Sequence, residues 1–185
     1  MEEFDLSEFE LLSKIAERRK SVRKFLDKEI PAELLDKIVE IARTAPFASG
    51  RRNWDVEYST DKTLLSEIAG RVRAYYEKFS AFVKPDFRDD FVKYSESFTI
   101  FESAPAVFFL TYRNAQSLSR SLDRELAPPE LSADIERFEL ENSAKSISCA
   151  AMLVLLSAES LGLGACYMTG ALPAESKFLE LITRK

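Results

Sequence analysis

The feature that most constrains the fold is a long helical stretch over residues 132–161, which is predicted to form one helix or two in series and ends at Gly162 and Gly164. A helix of that length extends about 45 Å. It carries small side chains that would let another element approach closely: Ala144, Ser148, Ala151 and Ala158. A chain of 185 residues can hardly cover both faces of such a helix. We therefore expect an obligate homodimer with this helix in the interface.

Several segments have the composition of strands in a sheet that helices cover. Residues 54–60 alternate large and polar side chains, which predicts a half-buried strand. Residues 105–112 are apolar on both faces and predict a central strand, and residues 165–169 predict a short one. No repeat or linker interrupts the chain. We therefore expect a single α+β domain over residues 1–185, with a central mixed or antiparallel sheet flanked by helices.

Capping residues and apolar spacing indicate further helices. Ser7 and Glu10 form a capping-box pattern at the first helix, which leads into a basic run. Pro31 suits the first turn of a second helix, and Pro46 ends that helix near Thr44. Apolar residues at helical spacing predict a third helix through residues 64–75 and helical structure over 86–101.

The chain contains no histidine, and this excludes several classes of chemistry. It rules out Ser-His-Asp and Cys-His nucleophiles, histidine-ligated metal sites and imidazole acid–base catalysis. Any reaction depends on carboxylates, Arg, Lys, Tyr, Cys or a borrowed cofactor, and we assign no catalytic side chain and no metal site. The net charge of −5 argues against a general nucleic-acid binder.

Three features bear on localisation. The longest apolar stretch, residues 149–158, is about ten residues long, whereas a membrane-spanning helix needs about 20. The N-terminal residues 1–5 are acidic where a secretory signal would be basic. Cys149 and Cys166 make neither a disulfide framework nor a CxxC pair. These features predict a cytoplasmic protein with reduced thiols and no membrane partner.

Residues 18–24 place five cations in seven positions directly after the first helix. One interpretation is a solvated charge run that complements the negative end of the helix dipole. The other is a clamp for a phosphate or carboxylate, in which Arg forks bind oxyanions and Ser21 adds a hydroxyl. If the segment is extended, Arg19, Ser21 and Arg23 project to one side. A second basic spot at residues 51–52 favours an anionic small molecule over a polymer.

Four motifs follow one another in a distinctive order. The first is Arg18-Arg19-Lys20-Ser21-Val22-Arg23, and the second is Ala45-Pro46 with a loop into Trp54. The third is Ser103-Ala104-Pro105-Ala106-Val107, and the fourth is the run from Leu161 to Gly170 after the long helix. Together they resemble the nitroreductase family of flavoenzymes, over nearly the whole chain. That family typically reads Arg-Ser-(Val/Ile)-Arg and then Ala-Pro-Ser-x-x-Asn-x-Gln-Pro-Trp, so the resemblance implies a nitroreductase-like fold.

The resemblance also implies an FMN cofactor at the interface of a homodimer, with electrons passing from NAD(P)H to a small acceptor such as a nitroaromatic or a quinone. The residues implied to meet the ribityl-phosphate and pyrimidine side are Arg19, Lys20, Ser21 and Arg23. Those implied to line the isoalloxazine from the partner subunit are Pro46, Phe47, Ala48, Ser49 and Gly50, with Arg52 able to bond the flavin edge. A backbone N–H near the reactive flavin nitrogen is implied for Thr169 and Gly170.

The sequence departs from the family pattern in three respects. Gly50 and the pair Arg52-Asn53 stand where the family has Asn and Gln-Pro, and Phe47 stands where serine is usual. The sequence ends at Lys185, whereas family members usually continue into a strand with a basic phosphate-binding segment. The expectation is a shortened C-terminus that leaves the basic run as the principal phosphate site. Two alternatives stay open: a non-enzymatic family descendant that binds flavin weakly or another anionic ligand, and an unrelated helical interaction protein.

Overall fold

A computed structural model of the chain describes residues 6–47, 52–113, 118–123 and 125–183. Its elements, in chain order, are the helices α1 (Ser7–Arg18) and α2 (Ala32–Ala42), the strand β1 (Trp54–Ser59), the helices α3 (Lys62–Ser80) and α4 (Pro85–Glu96), the strand β2 (Val107–Tyr112), and the helices α5 (Pro129–Ser160) and α6 (Leu179–Thr183). Two short 3₁₀ helices, Ser97–Ser103 and Leu172–Lys177, precede β2 and α6. Within these ranges, no helix combines the length and the apolar character that crossing a membrane requires.

The chain divides into two compact units that are interleaved along the sequence. The first combines residues 1–19, 32–57 and 110–163, and in it α2 packs against α5. Apolar residues at helical spacing form the buried side of α2: Leu35, Ile38, Val39 and Ala42. The C-terminal half of α5 contributes Ile147, Ala150, Ala151, Val154, Leu155 and Ala158 to the core of this unit. The expectation of one domain over residues 1–185 stays a prediction.

The second unit combines residues 20–31, 58–109 and 164–185 and is built around α3. The carboxylate of Asp61 accepts hydrogen bonds from the backbone N–H groups of Thr63 (2.9 Å) and Leu64 (3.2 Å), which fixes the start of α3. The buried side of α3 packs against both 3₁₀ helices in a core made of Leu65, Ile68, Ala69, Val72, Tyr76, Phe98, Phe101, Ala174 and Phe178. The aromatic side chains of this core contact Gly170, one of the predicted cofactor-binding residues.

Strands β1 and β2 form a two-stranded antiparallel sheet. The backbone N–H of Arg113 donates to the carbonyl of Asn53 (2.7 Å). Further along, the rings of Tyr58 and Phe108 lie 5.9 Å apart, which is consistent with the same register. The strand predicted over residues 105–112 is confirmed over Val107–Tyr112, but its predicted central position is wrong. Every residue of β2 is half-buried or exposed, and its one partner strand in the described ranges is β1, because apolar side chains alone do not require a second neighbour.

The long helix forms as one continuous element, α5, and ends as the glycines predict. The N–H of Gly162 donates to the Glu159 carbonyl (3.0 Å), and the N–H of Leu163 donates to the Ala158 carbonyl (2.9 Å). This pair of bonds is a Schellman cap, and it places Gly162 at a φ of 75°. A side chain would be strained at that φ, so the glycine allows the chain to leave the helix sharply.

The prediction that the small residues of α5 form a single face for a partner is wrong. Ala151 and Ala158 are buried within the chain itself, because the C-terminal half of α5 packs against α2. Ala144 and Ser148 are exposed. Only the second pair is available to another molecule.

Three local predictions differ from the structure. Ser7 is the first residue of α1, and its cap position is taken by Leu6, which makes no side-chain cap bond. The helix predicted over residues 86–101 is α-helical only to Glu96 and continues as a 3₁₀ helix. The strand predicted over residues 165–169 is reduced to one parallel bridge between Ala165 and Ser21, because the facing segment pairs at that position alone.

Candidate functional site

The chain leaves α1 in an extended conformation, as a clamp built from alternate residues requires. Arg19 follows the last residue of α1 with φ −55° and ψ 124°. Ser21 then forms the bridge with Ala165, where the N–H of Val22 donates to the Ala165 carbonyl (3.0 Å). Val22 is half-buried, while Ser21 and Arg23 on either side of it are exposed. Ser21 and Arg23 therefore share the outward side of this segment.

The cations of this segment differ in what they contact. Arg18 donates from Nε to the Glu159 carboxylate (3.2 Å), so its charge is paired within the first unit. Arg19 is the last residue of the N-terminal stretch of the first unit, and Lys20 and Arg23 belong to the second unit. Within the described ranges, none of these three has a carboxylate partner. Cations without a protein carboxylate remain available to an anionic ligand such as a phosphate.

The loop after α2 is described only at its two ends. Pro46 and Phe47 are exposed at its start. At its other end, the guanidinium of Arg52 lies 5.5 Å from the ring centre of Trp54. The Trp54 side chain is buried, and its Nε1–H has no acceptor in the part of the chain that the structure describes. The remaining predicted residues of this loop lie outside the described residues: Ala48, Ser49 and Gly50.

Asn53, which stands where the family pattern has proline, has a structural role. Its Nδ2 donates to the Arg113 carbonyl (2.7 Å) and to the hydroxyl of Ser143 (2.8 Å), which is buried. Ser143 in turn donates to the Glu139 carbonyl on the preceding turn of α5 (3.0 Å). These bonds tie the residue before Trp54 to the end of β2 and to α5, so the fold itself accounts for an amide side chain at this position.

Thr169 and Gly170 lie in a tight turn whose carbonyl groups are both engaged. The N–H of Leu172 donates to the Thr169 carbonyl (3.0 Å), and the Tyr76 hydroxyl donates to the Gly170 carbonyl (2.7 Å). The backbone N–H groups of Thr169, Gly170 and Ala171 donate to no acceptor within the described ranges. In a trans peptide the N–H points opposite to the C=O, so the N–H groups of Gly170 and Ala171 point away from the groups that hold the carbonyls.

Aromatic side chains support this turn from inside. A Cβ placed on Gly170 would lie 2.7 Å from Cγ of Phe98, closer than real Cβ contacts, so glycine is required there. The rings of Tyr76 and Phe98 are 4.7 Å apart. Burial raises the pKa of the Tyr76 hydroxyl, and the neighbouring Tyr75 and Tyr94 add to this effect. The hydroxyl therefore stays protonated and remains a hydrogen-bond donor.

Sequence reasoning identified the turn and missed the residues that hold it. Tyr76 continues the apolar stripe of α3 after Leu65, Ile68 and Val72. A tyrosine in a buried stripe needs a partner for its hydroxyl, and this was the available signal. Nothing in the local pattern names Gly170 as that partner, because the two residues are 94 positions apart.

A second buried polar group also escaped the sequence analysis. The Glu139 carboxylate accepts hydrogen bonds from the backbone N–H groups of Leu118 (2.7 Å) and Ser119 (3.1 Å) and from the Ser119 hydroxyl (2.8 Å). It anchors the segment after β2 to α5, so its role is structural. Within the described ranges, no cluster of acidic or thiol side chains is arranged to hold a metal ion.

Comparison with known proteins gives consistent results. A sequence model of the Nitroreductase family matches residues 16–183. A BluB-like flavoprotein from Clostridium difficile 630 superposes with a TM-score of 0.83 at 23% identity, covering 94% of this chain and 81% of that one. A nitroreductase with bound FMN from Desulfitobacterium hafniense DCB-2 gives a TM-score of 0.66 at 20% identity, covering 91% and 75%.

A candidate NADH dehydrogenase/NAD(P)H nitroreductase of Methanothermobacter thermautotrophicus is 36% identical over 63 residues, which span 34% of this chain and 32% of that protein. This chain is helix-rich with a small antiparallel sheet and matches these solved structures in fold, so the predicted nitroreductase-like α+β fold class is confirmed. The family match extends from the end of α1 to α6 and includes the four motifs that carry the resemblance. On this extent of similarity, the chain belongs to the Nitroreductase family.

Proposed function

We propose that the protein is an FMN-dependent oxidoreductase that transfers electrons from NAD(P)H to a small acceptor such as a nitroaromatic or a quinone. Family membership supports FMN-dependent oxidoreductase chemistry in general. The observation that carries the proposal is the turn at residues 169–171, whose backbone donors are unpaired within the described ranges while its carbonyls are held by Leu172 and Tyr76. Donors fixed in this way stabilise developing negative charge without having to reorganise.

The segment after α1 has the chemistry to bind the phosphate and pyrimidine side of FMN. Arg19, Lys20 and Arg23 supply cations, and the exposed Ser21 supplies a hydroxyl. A hydrogen bond to a charged group contributes roughly 1.5–3 kcal/mol. Because these three cations have no carboxylate partner within the described ranges, a phosphate would not have to displace one.

In the homodimer, the loop after α2 of one subunit is proposed to line the isoalloxazine ring of the FMN that the other subunit binds. Its small residues Ala48, Ser49 and Gly50, with Pro46 and Phe47, would allow close approach to the ring. Arg52 lies over the Trp54 ring, which restrains its guanidinium. Guanidinium groups only donate, so Arg52 would bond a carbonyl oxygen at the flavin edge.

When bound, FMN supplies the hydride chemistry that the chain's own side chains lack. The chain has no histidine, so imidazole takes no part in moving protons. The residues of the chain bind the cofactor through cations and hold backbone donors in a fixed direction. Because FMN supplies the hydride chemistry and the chain binds and orients FMN, no catalytic side chain is assigned.

A homodimer with α5 in its interface completes the proposal. Helix α1 buries none of its residues within the chain, and its Phe9 is 66% exposed. On α5, the apolar side chain of Met152 is 49% exposed, one turn after the exposed Ser148. Exposed apolar side chains on two helices of the first unit favour burial against a second copy.

Sedimentation tests the dimer. We expect the wild-type protein at the dimer mass at micromolar concentration, and Ser148→Arg should shift it towards the monomer by placing a charge in the interface. The variant Ala151→Phe would instead test packing within the chain, because Ala151 is buried there. A monomeric wild-type protein would refute the dimer.

The proposal keeps the cytoplasmic location expected from the sequence. Cys149 is exposed, Cys166 is half-buried, and both are free thiols. Free thiols are typical of reducing compartments, which supports this location.

Purification decides between the enzyme and the non-enzymatic descendant. We expect a yellow protein with flavin absorbance bands, or tight binding when FMN is titrated into the apo form. We also expect oxidation of NADH or NADPH that depends on a nitroaromatic or quinone. A colourless protein that neither binds FMN nor oxidises a nicotinamide would favour the descendant that binds another anionic ligand.

A further inference from the structure

Gly170 combines two properties that oppose each other. The Phe98 ring leaves no room for a Cβ at this position, so glycine is required. Glycine is also the residue with the least restricted backbone. Free rotation about its φ and ψ bonds would leave the neighbouring N–H groups without a fixed direction. A turn that aims a backbone donor at a ligand therefore needs another restraint on Gly170.

Tyr76 supplies that restraint. Its hydroxyl donates to the Gly170 carbonyl at 2.7 Å, while the N–H of Leu172 holds the Thr169 carbonyl at 3.0 Å. The two bonds fix the peptide planes on both sides of Gly170, and with them the N–H groups of Gly170 and Ala171.

The Tyr76 side chain is itself held firmly. It is 8% exposed, and its ring contacts Phe98 at 4.7 Å and Tyr75 at 5.2 Å between ring centres. Its place in α3 and in the core of the second unit leaves the hydroxyl little freedom to move away from Gly170.

We propose that Tyr76 is a positioning residue of the flavin site: by holding the Gly170 carbonyl, its hydroxyl aims the backbone N–H of Ala171 at the flavin ring, beside the N–H of Gly170 that the Leu172 bond orients. This inference rests on the proposed function, because the flavin is the ligand that these donors would face. Tyr76 touches neither the cofactor nor the substrate in this scheme. It acts through the peptide groups of the turn.

The matched variants are Tyr76→Phe and Tyr75→Phe. The first keeps the ring and removes the hydroxyl that holds Gly170. The second removes a hydroxyl from the adjacent, half-buried tyrosine, which has no hydrogen-bond partner in the described part of the chain. Both rings contact Phe79, so the pair controls for general effects on the aromatic core.

Hydrogen exchange of the Leu172 amide in the protein without FMN tests the restraint directly, because that amide closes the turn. A lost hydrogen bond of ordinary strength predicts exchange about 3- to 10-fold faster in Tyr76→Phe. Tyr75→Phe should exchange at the wild-type rate. Equal exchange in Tyr76→Phe and the wild-type protein would overturn the inference.

The midpoint potential of bound FMN separates positioning from a purely structural role. Loss of aimed donors predicts a lower potential in Tyr76→Phe, by about 15–30 mV if the preference for reduced over oxidised FMN falls 3- to 10-fold. Tyr75→Phe should keep the wild-type potential. An unchanged potential with faster exchange would contradict the flavin-facing role. If the wild-type protein binds no FMN, the proposed function is wrong, and so is the flavin-facing role of Tyr76. The hydrogen-exchange comparison would still decide whether Tyr76 fixes the turn.

Discussion

The basic segment at residues 19–23 and the turn at residues 169–171 offer donors to a ligand in opposite ways. The segment presents cationic side chains that have no carboxylate partner within the described ranges. The turn presents backbone N–H groups whose peptides are held by Tyr76 and Leu172. The segment thus contributes charge on flexible side chains, and the turn contributes direction from a rigid backbone. In the segment, replacing a cationic side chain should therefore weaken ligand binding. In the turn, ligand binding should depend most on the residues that hold the backbone in position.

The largest expected effect is that of Gly170→Ala. The added Cβ would overlap the Phe98 ring, so the turn or the ring must shift. We expect the free energy of unfolding to fall by roughly 1–3 kcal/mol, and FMN affinity to fall at least tenfold because the backbone donors move. Urea unfolding and FMN titration measure the two quantities.

Gly70→Ala is the matched control for that substitution. Gly70 lies in α3, and a Cβ there would meet no atom within 4 Å. Alanine in a helix is more favourable than glycine by up to about 1 kcal/mol, so this variant should be slightly more stable and bind FMN normally. A Gly170→Ala protein as stable and as tightly bound to FMN as Gly70→Ala would show that the turn is not rigid.

The next largest effect is expected in the basic segment. Arg19→Ala should weaken FMN binding about tenfold, because it removes a charge-assisted bond. The melting temperature without ligand should hardly change, because within the described ranges Arg19 has no ion pair to lose. Fluorescence titration and thermal unfolding measure the two effects.

Arg18→Ala is the control, since Arg18 is paired with Glu159. It should leave FMN affinity nearly unchanged and cost at most about 1 kcal/mol of stability, as expected for an exposed ion pair. Equal losses of affinity from both substitutions, or none from Arg19→Ala, would identify the segment as a solvated basic surface.

The smallest effect concerns acid and the 3₁₀ helix that packs beneath the turn. The 3₁₀ helix that carries Phe98 also carries Glu102, to which Arg73 on α3 donates two hydrogen bonds (2.7 and 3.2 Å). These bonds hold the pKa of the Glu102 carboxyl below its ordinary value of 4.5, and Ser66 adds a smaller lowering.

A carboxyl whose pKa is lowered by folding adds stability above its ordinary pKa, and this stability is lost as the pH falls through the lowered value. Glu102→Gln should therefore reduce the free energy of unfolding at neutral pH by about 0.2–1 kcal/mol, since the pair is partly exposed. The difference from wild type should shrink as the pH drops below 4.5. Denaturant unfolding at several pH values measures it, with Glu57→Gln as an exposed control that makes no ion pair in the described ranges. A pH-independent difference would argue against this ion pair.

Local patterns predicted the elements whose causes are local. Gly162 marks the end of α5, and Pro31 and Pro46 bracket α2, because these residues restrict the backbone wherever they occur. The charges of the basic segment could likewise be read from residue identity. The bond from Tyr76 to Gly170 could not, because a hydroxyl's partner is chosen by tertiary packing. The burial of Ala151 was missed for the same reason, since a small residue permits close packing without naming the neighbour.

The bridge between Ser21 and Ala165 joins residues that are 144 positions apart, and this has a consequence for biosynthesis. A chain leaves the ribosome N-terminus first, at about 5–20 residues per second, so the pairing partner of the basic segment is synthesised roughly 7–30 seconds after the segment itself. Closing so long a loop is entropically costly until the intervening elements have folded. If the basic segment binds FMN as proposed, the paired form of the segment that would hold the cofactor exists only after Ala165, and therefore all of α5, has been synthesised.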